Sequence, residues 1–135
     1  MNYATIKWTD IANGEGVRIS LFVSGCTHRC KNCFNEVAWD FTYGDLFDED
    51  VENKIISELK YDYIAGLSLL GGEPLEPQNQ KALYPFIKRA RAAQAKRAIP
   101  RLPYSPFRFY SLPMIEERRE MNFSAATSGA SSLSK

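Results

Sequence analysis

The sequence predicts an α/β fold with a parallel sheet, because two predicted strands are each followed by a loop and then by a helix. Residues 17–23 are rich in β-branched and aromatic side chains, and residues 64–70 form a short apolar run, so each predicts a strand. Apolar residues at helical spacing predict helices over residues 48–60 and about 79–95. Ligands bind at the carboxyl ends of strands in such sheets, so the two loops after the strands are the candidate site.

The elements around these strands have local signals of their own. An Asn-Gly pair at residues 13–14 predicts a tight turn, and residues 1 to about 40 are expected to be extended structure around turns. Acidic residues 48–50 stand where the first helix begins, since a helix N-terminus favours negative charge. The predicted core faces are Val51, Ile55, Ile56 and Leu59 on the first helix, and Leu83, Phe86, Ile87 and Ala90 on the second.

Size and composition describe an ordinary globular domain. The chain has 135 residues, of which 44% are hydrophobic and 24% charged. No stretch approaches the roughly 18 consecutive apolar residues of a membrane span, and the N-terminus lacks the layout of a signal peptide. We therefore expect a cytoplasmic protein with no membrane association. The net charge of +1 gives no reason to expect a nucleic-acid partner.

Composition changes sharply towards the C-terminus. Residues 1–85 carry seven Lys and Arg against thirteen Asp and Glu, whereas residues 86–135 carry ten against three. Four of the seven prolines lie between Pro100 and Pro113, and residues 124–135 are mostly Ser, Ala, Thr and Gly. The sequence thus predicts a folded core over residues 1–97 and a basic, Pro- and Ser-rich tail over residues 98–135 that is irregular and disordered.

The three cysteines form one short motif, C-x3-C-x2-C, at Cys26, Cys30 and Cys33. An odd number cannot all pair within the chain, and in a reducing compartment such a set indicates metal binding or catalysis. Three thiolates can hold one [4Fe–4S] cluster and leave one iron open for a substrate. The alternatives are incidental thiols, or a zinc site with His28 as fourth ligand, although zinc sites usually combine ligand pairs from separated turns.

A second motif, Gly71-Gly72-Glu73-Pro74, follows the predicted strand 64–70, about forty residues after the cysteines. Glycines let backbone groups approach a ligand closely, and a carboxylate can hold an ammonium group. By itself the motif is weak evidence for a ligand site and is more typical of a tight turn between a strand and a helix. Its position at the same predicted sheet edge as the cysteines favours a ligand-binding role.

Together these motifs resemble a known family. C-x3-C-x2-C after a strand is similar to the cluster motif of the radical S-adenosylmethionine superfamily. More narrowly, the chain resembles the activating proteins of anaerobic ribonucleoside-triphosphate reductases, which are glycyl-radical activases, in residues 13–18, 21–26, 33–35 and 70–79. The resemblance covers about residues 1–95 and implies a partial, incomplete radical-SAM-type β/α barrel.

The resemblance also implies a chemistry. Cys26, Cys30 and Cys33 would each ligate one iron, and the fourth iron would bind the amino and carboxylate groups of S-adenosylmethionine. Reductive cleavage would produce a 5′-deoxyadenosyl radical, which would take hydrogen from a backbone glycine of the reductase. A flavodoxin- or ferredoxin-type protein is the implied electron donor. No catalytic residue is expected beyond the cluster, and the implied S-adenosylmethionine contacts are Asn32, Cys33, Phe34, Gly71, Gly72 and Glu73.

The chain departs from the family after the second predicted helix. The family continues with strand–helix units and a Thr-Gly-Tyr-like turn, whereas residues 97–104 read Arg-Ala-Ile-Pro-Arg-Leu-Pro-Tyr. A reading-frame shift near residues 93–97 is our hypothesis for this change, which would leave an impaired enzyme. Two alternatives stay open: an activase of another glycyl-radical enzyme such as pyruvate formate-lyase, and a non-catalytic iron–sulfur or zinc-binding protein.

Overall fold

In the computed structural model, which describes residues 1–95 and 107–108, five strands form one mixed sheet in the order β3-β1-β2-β4-β5. Two helices and a short 3₁₀ helix at Glu36–Trp39 complete the described part of the chain. The elements are β1 (Asn2–Asp10), β2 (Val17–Val23), β3 (Asp45–Leu46), α1 (Glu49–Glu58), β4 (Ile64–Gly71), α2 (Pro77–Ala95) and β5 (Phe107–Arg108).

The sheet is mixed: the parallel arrangement predicted for residues 17–23 and 64–70 is confirmed, and β1 and β3 add antiparallel strands at one side. Strands β2, β4 and β5 are parallel neighbours, whereas β1 runs antiparallel to both β2 and β3. The physical reason is the length of the connections. Residues 11–16 can join β1 to β2 only as an antiparallel pair, while the long segment with α1 between β2 and β4 allows a parallel crossover.

The predicted strands and helices are confirmed with small shifts at their ends. α2 begins at Pro77, two residues before its predicted start, because proline is well tolerated in the first turn of a helix. The acidic start of α1 acts as predicted, since the Asp48 side chain accepts a hydrogen bond from the Val51 N–H at 3.0 Å. Neither α1 nor α2 is both long and apolar enough to cross a membrane.

Both helices pack on one face of the sheet. Alternate residues of a strand share a face, and those of β2 and β4 enter the same core as the predicted faces of α1 and α2. The fully or nearly fully buried members are Ile19, Leu21, Val23, Leu67, Leu69, Ile55, Leu59, Leu83, Phe86, Ile87 and Ala90. The other face carries buried polar residues, where Arg18 Nε donates to Ser68 Oγ at 2.7 Å.

Most of the predicted tail, residues 98–135, lies outside the described residues. Its one described part is β5, in which Phe107 and Arg108 pair in parallel with Leu67 and Ser68 of β4. This pair continues the sheet, which differs from the expectation that nothing after about residue 100 does so. The pairing becomes possible because β4 has a free edge beside it. The domain boundary at residue 97 and the disorder of the tail stay predictions.

The turn between β1 and β2 is held by one carboxylate. Asp10 is buried and accepts hydrogen bonds from Asn13 Nδ2 at 2.6 Å and from the Ala12 N–H at 3.0 Å. These bonds favour the ionised form, and the Asn13 side chain contributes most to lowering the pKa of Asp10 from 3.8 to about 2. The predicted turn at residues 13–14 is thus confirmed, and the charged Asp10 carboxylate stabilises it.

The Asp10 carboxylate predicts an acid-sensitive turn. Because the folded-state pKa of Asp10 is depressed, its contribution to stability is complete above about pH 4 and is lost as pH falls towards 2. Asp10→Asn should therefore melt at a lower temperature than the parent at pH 6, and this difference in melting temperature should be smaller at pH 3. Thermal unfolding of the apoprotein at both pH values measures this. Asp50→Asn, an exposed control, should show no such change with pH, and a constant difference for Asp10→Asn would contradict the prediction.

Candidate metal centre

The two candidate loops lie side by side because β2 and β4 are parallel neighbours. Val23 and Gly71 are paired at the ends of these strands, so residues 24–35, the cysteine loop, and residues 72–76, the Gly-Gly-Glu loop, leave the sheet together. The Gly72 N–H donates to the Val23 carbonyl at 2.8 Å, and the Glu73 N–H donates to the Gly25 carbonyl at 2.9 Å. Backbone pairing thus continues past the strands and joins the two loops.

The glycines of the second loop permit this close approach. A Cβ atom at Gly72 would lie 2.5 Å from the Gly25 carbonyl oxygen and 3.0 Å from that of Ala38. Gly71 has a φ of +102°, a conformation that favours glycine, and its Cβ would lie 2.5 Å from the Val23 oxygen. The structure therefore assigns Gly72 to packing of one loop against the other and Gly71 to the close approach of the ends of β4 and β2, reasons that the sequence motif alone did not supply.

The cysteine loop presents three free thiols. Cys30 is exposed, and Cys26 and Cys33 are half-buried. Arg29 and Asn32, each directly before a cysteine, have φ values of 50° and 62°, which non-glycine residues rarely adopt. The Cys33 N–H donates to the Cys30 carbonyl at 3.2 Å, so the chain makes a turn between the second and third cysteines.

The donor set fits an iron–sulfur cluster better than a single metal ion. Within residues 1–95 and 107–108, no three His, Cys, Asp or Glu side chains converge as a site for one ion. A [4Fe–4S] cluster requires a different arrangement, in which each thiolate binds its own iron. Three free thiols on one short loop, one of them exposed and two half-buried, can serve as such ligands.

His28 instead contacts the second loop. Its Nε2 lies 3.3 Å from Glu73 Oε2, and the Glu73 side chain also accepts a hydrogen bond through Oε1 from the Leu75 N–H at 2.8 Å. The His28 side chain is 59% exposed and that of Glu73 is 18% exposed. His28 is exposed, and its contact with Glu73 bridges the two loops. The Glu73 carboxylate faces the cysteine loop.

Two of the predicted ligand-binding residues take no part in the contact between the cysteine loop and the Gly-Gly-Glu loop. Asn32 is exposed, and Phe34 is fully exposed to solvent on the far part of the cysteine loop. A pocket of about 680 Å³ lies beside the loop. It is lined by Cys26, Thr27, Arg29, Glu36, Val37, Trp39, Asp40, Phe41 and Tyr43.

Two residues that the sequence analysis did not single out connect the loops. Glu76 Oε1 accepts hydrogen bonds from both the N–H and the hydroxyl of Thr27, at 2.7 and 2.6 Å. Asn79, only 1% exposed, donates through Nδ2 to the carbonyls of Ser24 and Glu73, both at 3.0 Å. The sequence gives only a weak signal for them, because polar residues are common near the start of a helix. Contacts between residues so far apart in the chain leave no local sequence pattern.

One family model and several known proteins match this chain. Residues 12–119 match the family model described as a 4Fe-4S single cluster domain. The chain is 50% identical over 93 residues to the anaerobic ribonucleoside-triphosphate reductase-activating protein of Haemophilus influenzae, covering 67% of this chain and 60% of that protein. The protein of the same name from Pasteurella multocida is also 50% identical over 93 residues, covering 67% and 59%. The one from Escherichia coli K12 is 43% identical over 94 residues, covering 68% and 61%.

The chain spans about 60% of the length of these curated relatives. No solved structure matches it. The relatives confirm the resemblance to activating proteins of anaerobic ribonucleoside-triphosphate reductase that the motifs indicated. The family match, which covers most of the chain, confirms the expected iron–sulfur cofactor. The chain belongs to the family of 4Fe-4S single cluster domains.

Proposed function

We propose that this chain is a radical S-adenosylmethionine activating enzyme that generates a glycyl radical on an anaerobic ribonucleoside-triphosphate reductase. The observation that carries the proposal is the hydrogen-bonded contact between the cysteine loop and the Gly-Gly-Glu loop. It places a cluster-binding motif and a partly exposed carboxylate, Glu73, at one edge of the sheet. The printed names of the relatives support the reductase as partner.

The proposed residue roles follow from this placement. Cys26, Cys30 and Cys33 hold the cluster as thiolates, and the bound cluster supplies the electron for reductive cleavage of S-adenosylmethionine. Glu73 attracts the ammonium group of the methionine moiety, and the backbone at Gly71 and Gly72 keeps that carboxylate beside the cysteine loop.

Asn32 and Phe34 are the proposed contacts for the adenosine. Both are exposed on the cysteine loop, so a ligand can reach them, and the Phe34 ring offers an apolar face. Cys33, which lies between them, would face the same ligand.

The proposal also covers the fold, the cellular location and the electron donor. We propose that β2, β4 and β5, with the helices that follow β2 and β4, form part of a radical-SAM-type β/α barrel. Residues 1–97 would form its core and residues 98–135 the atypical tail. The three free cysteines suit the reducing cytoplasm, which is the proposed location. A flavodoxin- or ferredoxin-type electron donor is proposed on the family resemblance.

Anaerobic reconstitution tests this function. The protein, treated with iron and sulfide, should bind about four irons per chain. After reduction it should convert S-adenosylmethionine to 5′-deoxyadenosine and, when mixed with the reductase, produce a glycyl-radical signal in electron paramagnetic resonance.

Each alternative predicts a different result. A loaded cluster without 5′-deoxyadenosine would indicate a non-catalytic iron–sulfur protein, which is also the result expected from an impaired C-terminal part. Stoichiometric zinc without iron would indicate the zinc-binding alternative. 5′-Deoxyadenosine without a radical on the reductase would indicate another glycyl-radical partner, such as pyruvate formate-lyase.

A further inference from the structure

A buried carboxylate ties the residue after the first cysteine to the second loop. Thr27 directly follows Cys26, and both its N–H and its hydroxyl donate to Oε1 of Glu76, 49 residues further along the chain. The two distances, 2.7 and 2.6 Å, are those of strong hydrogen bonds to a charged group. Glu76 is 8% exposed, whereas Thr27 is exposed, so the contact is anchored on the Glu76 side.

Glu76 is itself firmly held. Its N–H donates to the Glu73 carbonyl at 3.1 Å, and its carbonyl accepts the Gln80 N–H at 2.9 Å. It immediately precedes α2, where the positive end of the helix dipole stabilises a negative charge. A charge is buried at low cost only when it is hydrogen-bonded, so the bonds from Thr27 account for a carboxylate at this position.

We propose that Glu76 is a positioning residue that fixes the Cys26 end of the cysteine loop at a set distance from the Gly-Gly-Glu loop. It acts through Thr27 and does not itself contact the cluster or substrate. The functional consequence rests on the proposed function, in which one S-adenosylmethionine molecule reaches both the cluster held by Cys26 and the carboxylate of Glu73. A cysteine loop released from Glu76 keeps its thiols but loses the spacing that this ligand needs.

The contact is tested first on the reduced apoprotein, without cluster or substrate. Glu76→Ala should speed hydrogen exchange of the Thr27 amide about tenfold or more, as expected for the loss of hydrogen bonds to a charged group. Cys26, which is half-buried, should be alkylated faster relative to exposed Cys30 in the same molecule. Glu76→Gln keeps an acceptor oxygen and should lie between parent and Glu76→Ala. Glu49→Gln, at an exposed site on α1, should match the parent.

The partner residue provides an independent variant. Thr27→Val removes the hydroxyl but keeps the backbone donor, so it should accelerate Cys26 alkylation less than Glu76→Ala does. Thr27→Ser should behave as the parent does. In the double variant Glu76→Ala with Thr27→Val, the second change should add little, because the acceptor is already absent.

The positioning role is tested on reconstituted protein. Glu76→Ala should keep the parent's iron content, yet require about tenfold more S-adenosylmethionine to change the cluster's electron paramagnetic resonance signal. Glu76→Gln should restore most of the response. A merely structural role would lower the melting temperature without changing this ligand dependence.

The outcomes separate this proposal from the proposed function. Unchanged Thr27 exchange and Cys26 alkylation in Glu76→Ala would overturn the contact itself. Faster exchange with an unchanged S-adenosylmethionine response would overturn the positioning role. If the parent takes up no iron, the proposed function fails, while the apoprotein measurements still decide whether Glu76 holds the cysteine loop.

Discussion

Replacing any one of Cys26, Cys30 or Cys33 by Ala is expected to abolish the iron–sulfur cluster. Each thiolate in the proposed site binds a different iron, so no remaining side chain replaces the lost ligand. Iron content after anaerobic reconstitution should fall from about four per chain to nearly none, and the broad visible absorbance should disappear. Iron analysis and absorbance spectra on the three single variants measure this.

His28→Ala is the matched control, because His28 lies within the same motif but contacts Glu73 rather than a metal site. It should keep the iron content and absorbance of the parent. The apoproteins of the cysteine variants should melt near the parent temperature, since Cys30 is exposed and the other two are only half-buried. Full iron uptake by any of the three cysteine variants would refute the three-thiolate site.

Gly72→Val is expected to separate the two loops. Even a Cβ at this position lies 2.5 Å from the Gly25 carbonyl oxygen, which is backbone and cannot rotate away, and valine adds two further methyl groups. Overpacking of this kind costs about 2 kcal/mol, which for a domain of this size lowers the melting temperature by roughly 10 °C. Thermal unfolding of the apoprotein measures the loss, and Gly72→Ala should give a smaller decrease of the same sign.

Separation of the two loops should also weaken the binding of S-adenosylmethionine, the proposed ligand. Because the Glu73 N–H bonds to the Gly25 carbonyl, displacement at Gly72 moves Glu73 away from the cysteine loop. Gly72→Val loaded with a cluster should therefore show a weaker electron paramagnetic resonance response to S-adenosylmethionine. Ala12→Val adds the two methyl groups of valine at an exposed turn and should match the parent. A Gly72→Val protein with parental melting and response would show that the loops are not coupled as the structure indicates.

Sequence periodicity located the elements well because local spacing reports which face is buried. Ile55 on α1, Leu59 directly after it, and Leu83 and Phe86 on α2 are predicted core positions and are fully buried. Strand orientation was harder to predict, since the residues of β1 do not record whether their neighbour runs parallel or antiparallel. The mixed sheet depends on the length of the loop at residues 11–16, which the strand pattern does not include.

The cysteine motif could likewise be recognised from the sequence, because its three thiols lie on one loop and need no long-range contact to be identified. The roles of Gly72 and Glu76 could not. A Gly-Gly-Glu-Pro motif by itself indicates a tight turn more often than a ligand loop, and only the approach of Gly72 to the Gly25 carbonyl explains the second glycine. In the sequence, Glu76 is simply an acidic residue at the start of a helix. Its role becomes visible only in the structure, where Thr27, 49 residues earlier, donates two hydrogen bonds to it.

The amino-acid sequence by itself therefore determined the positions of β2, β4, α1 and α2, their buried faces and the three-thiol motif, since each depends on spacing within a few residues. The parallel pattern also predicted that the loops after β2 and β4 share one sheet edge, which is confirmed. Tertiary structure alone decided that these two strands are direct neighbours and which residues of the two loops touch. The Glu76–Thr27 and Gly72–Gly25 contacts follow from that pairing, because residues so far apart in the chain come within hydrogen-bonding distance only when the sheet assembles.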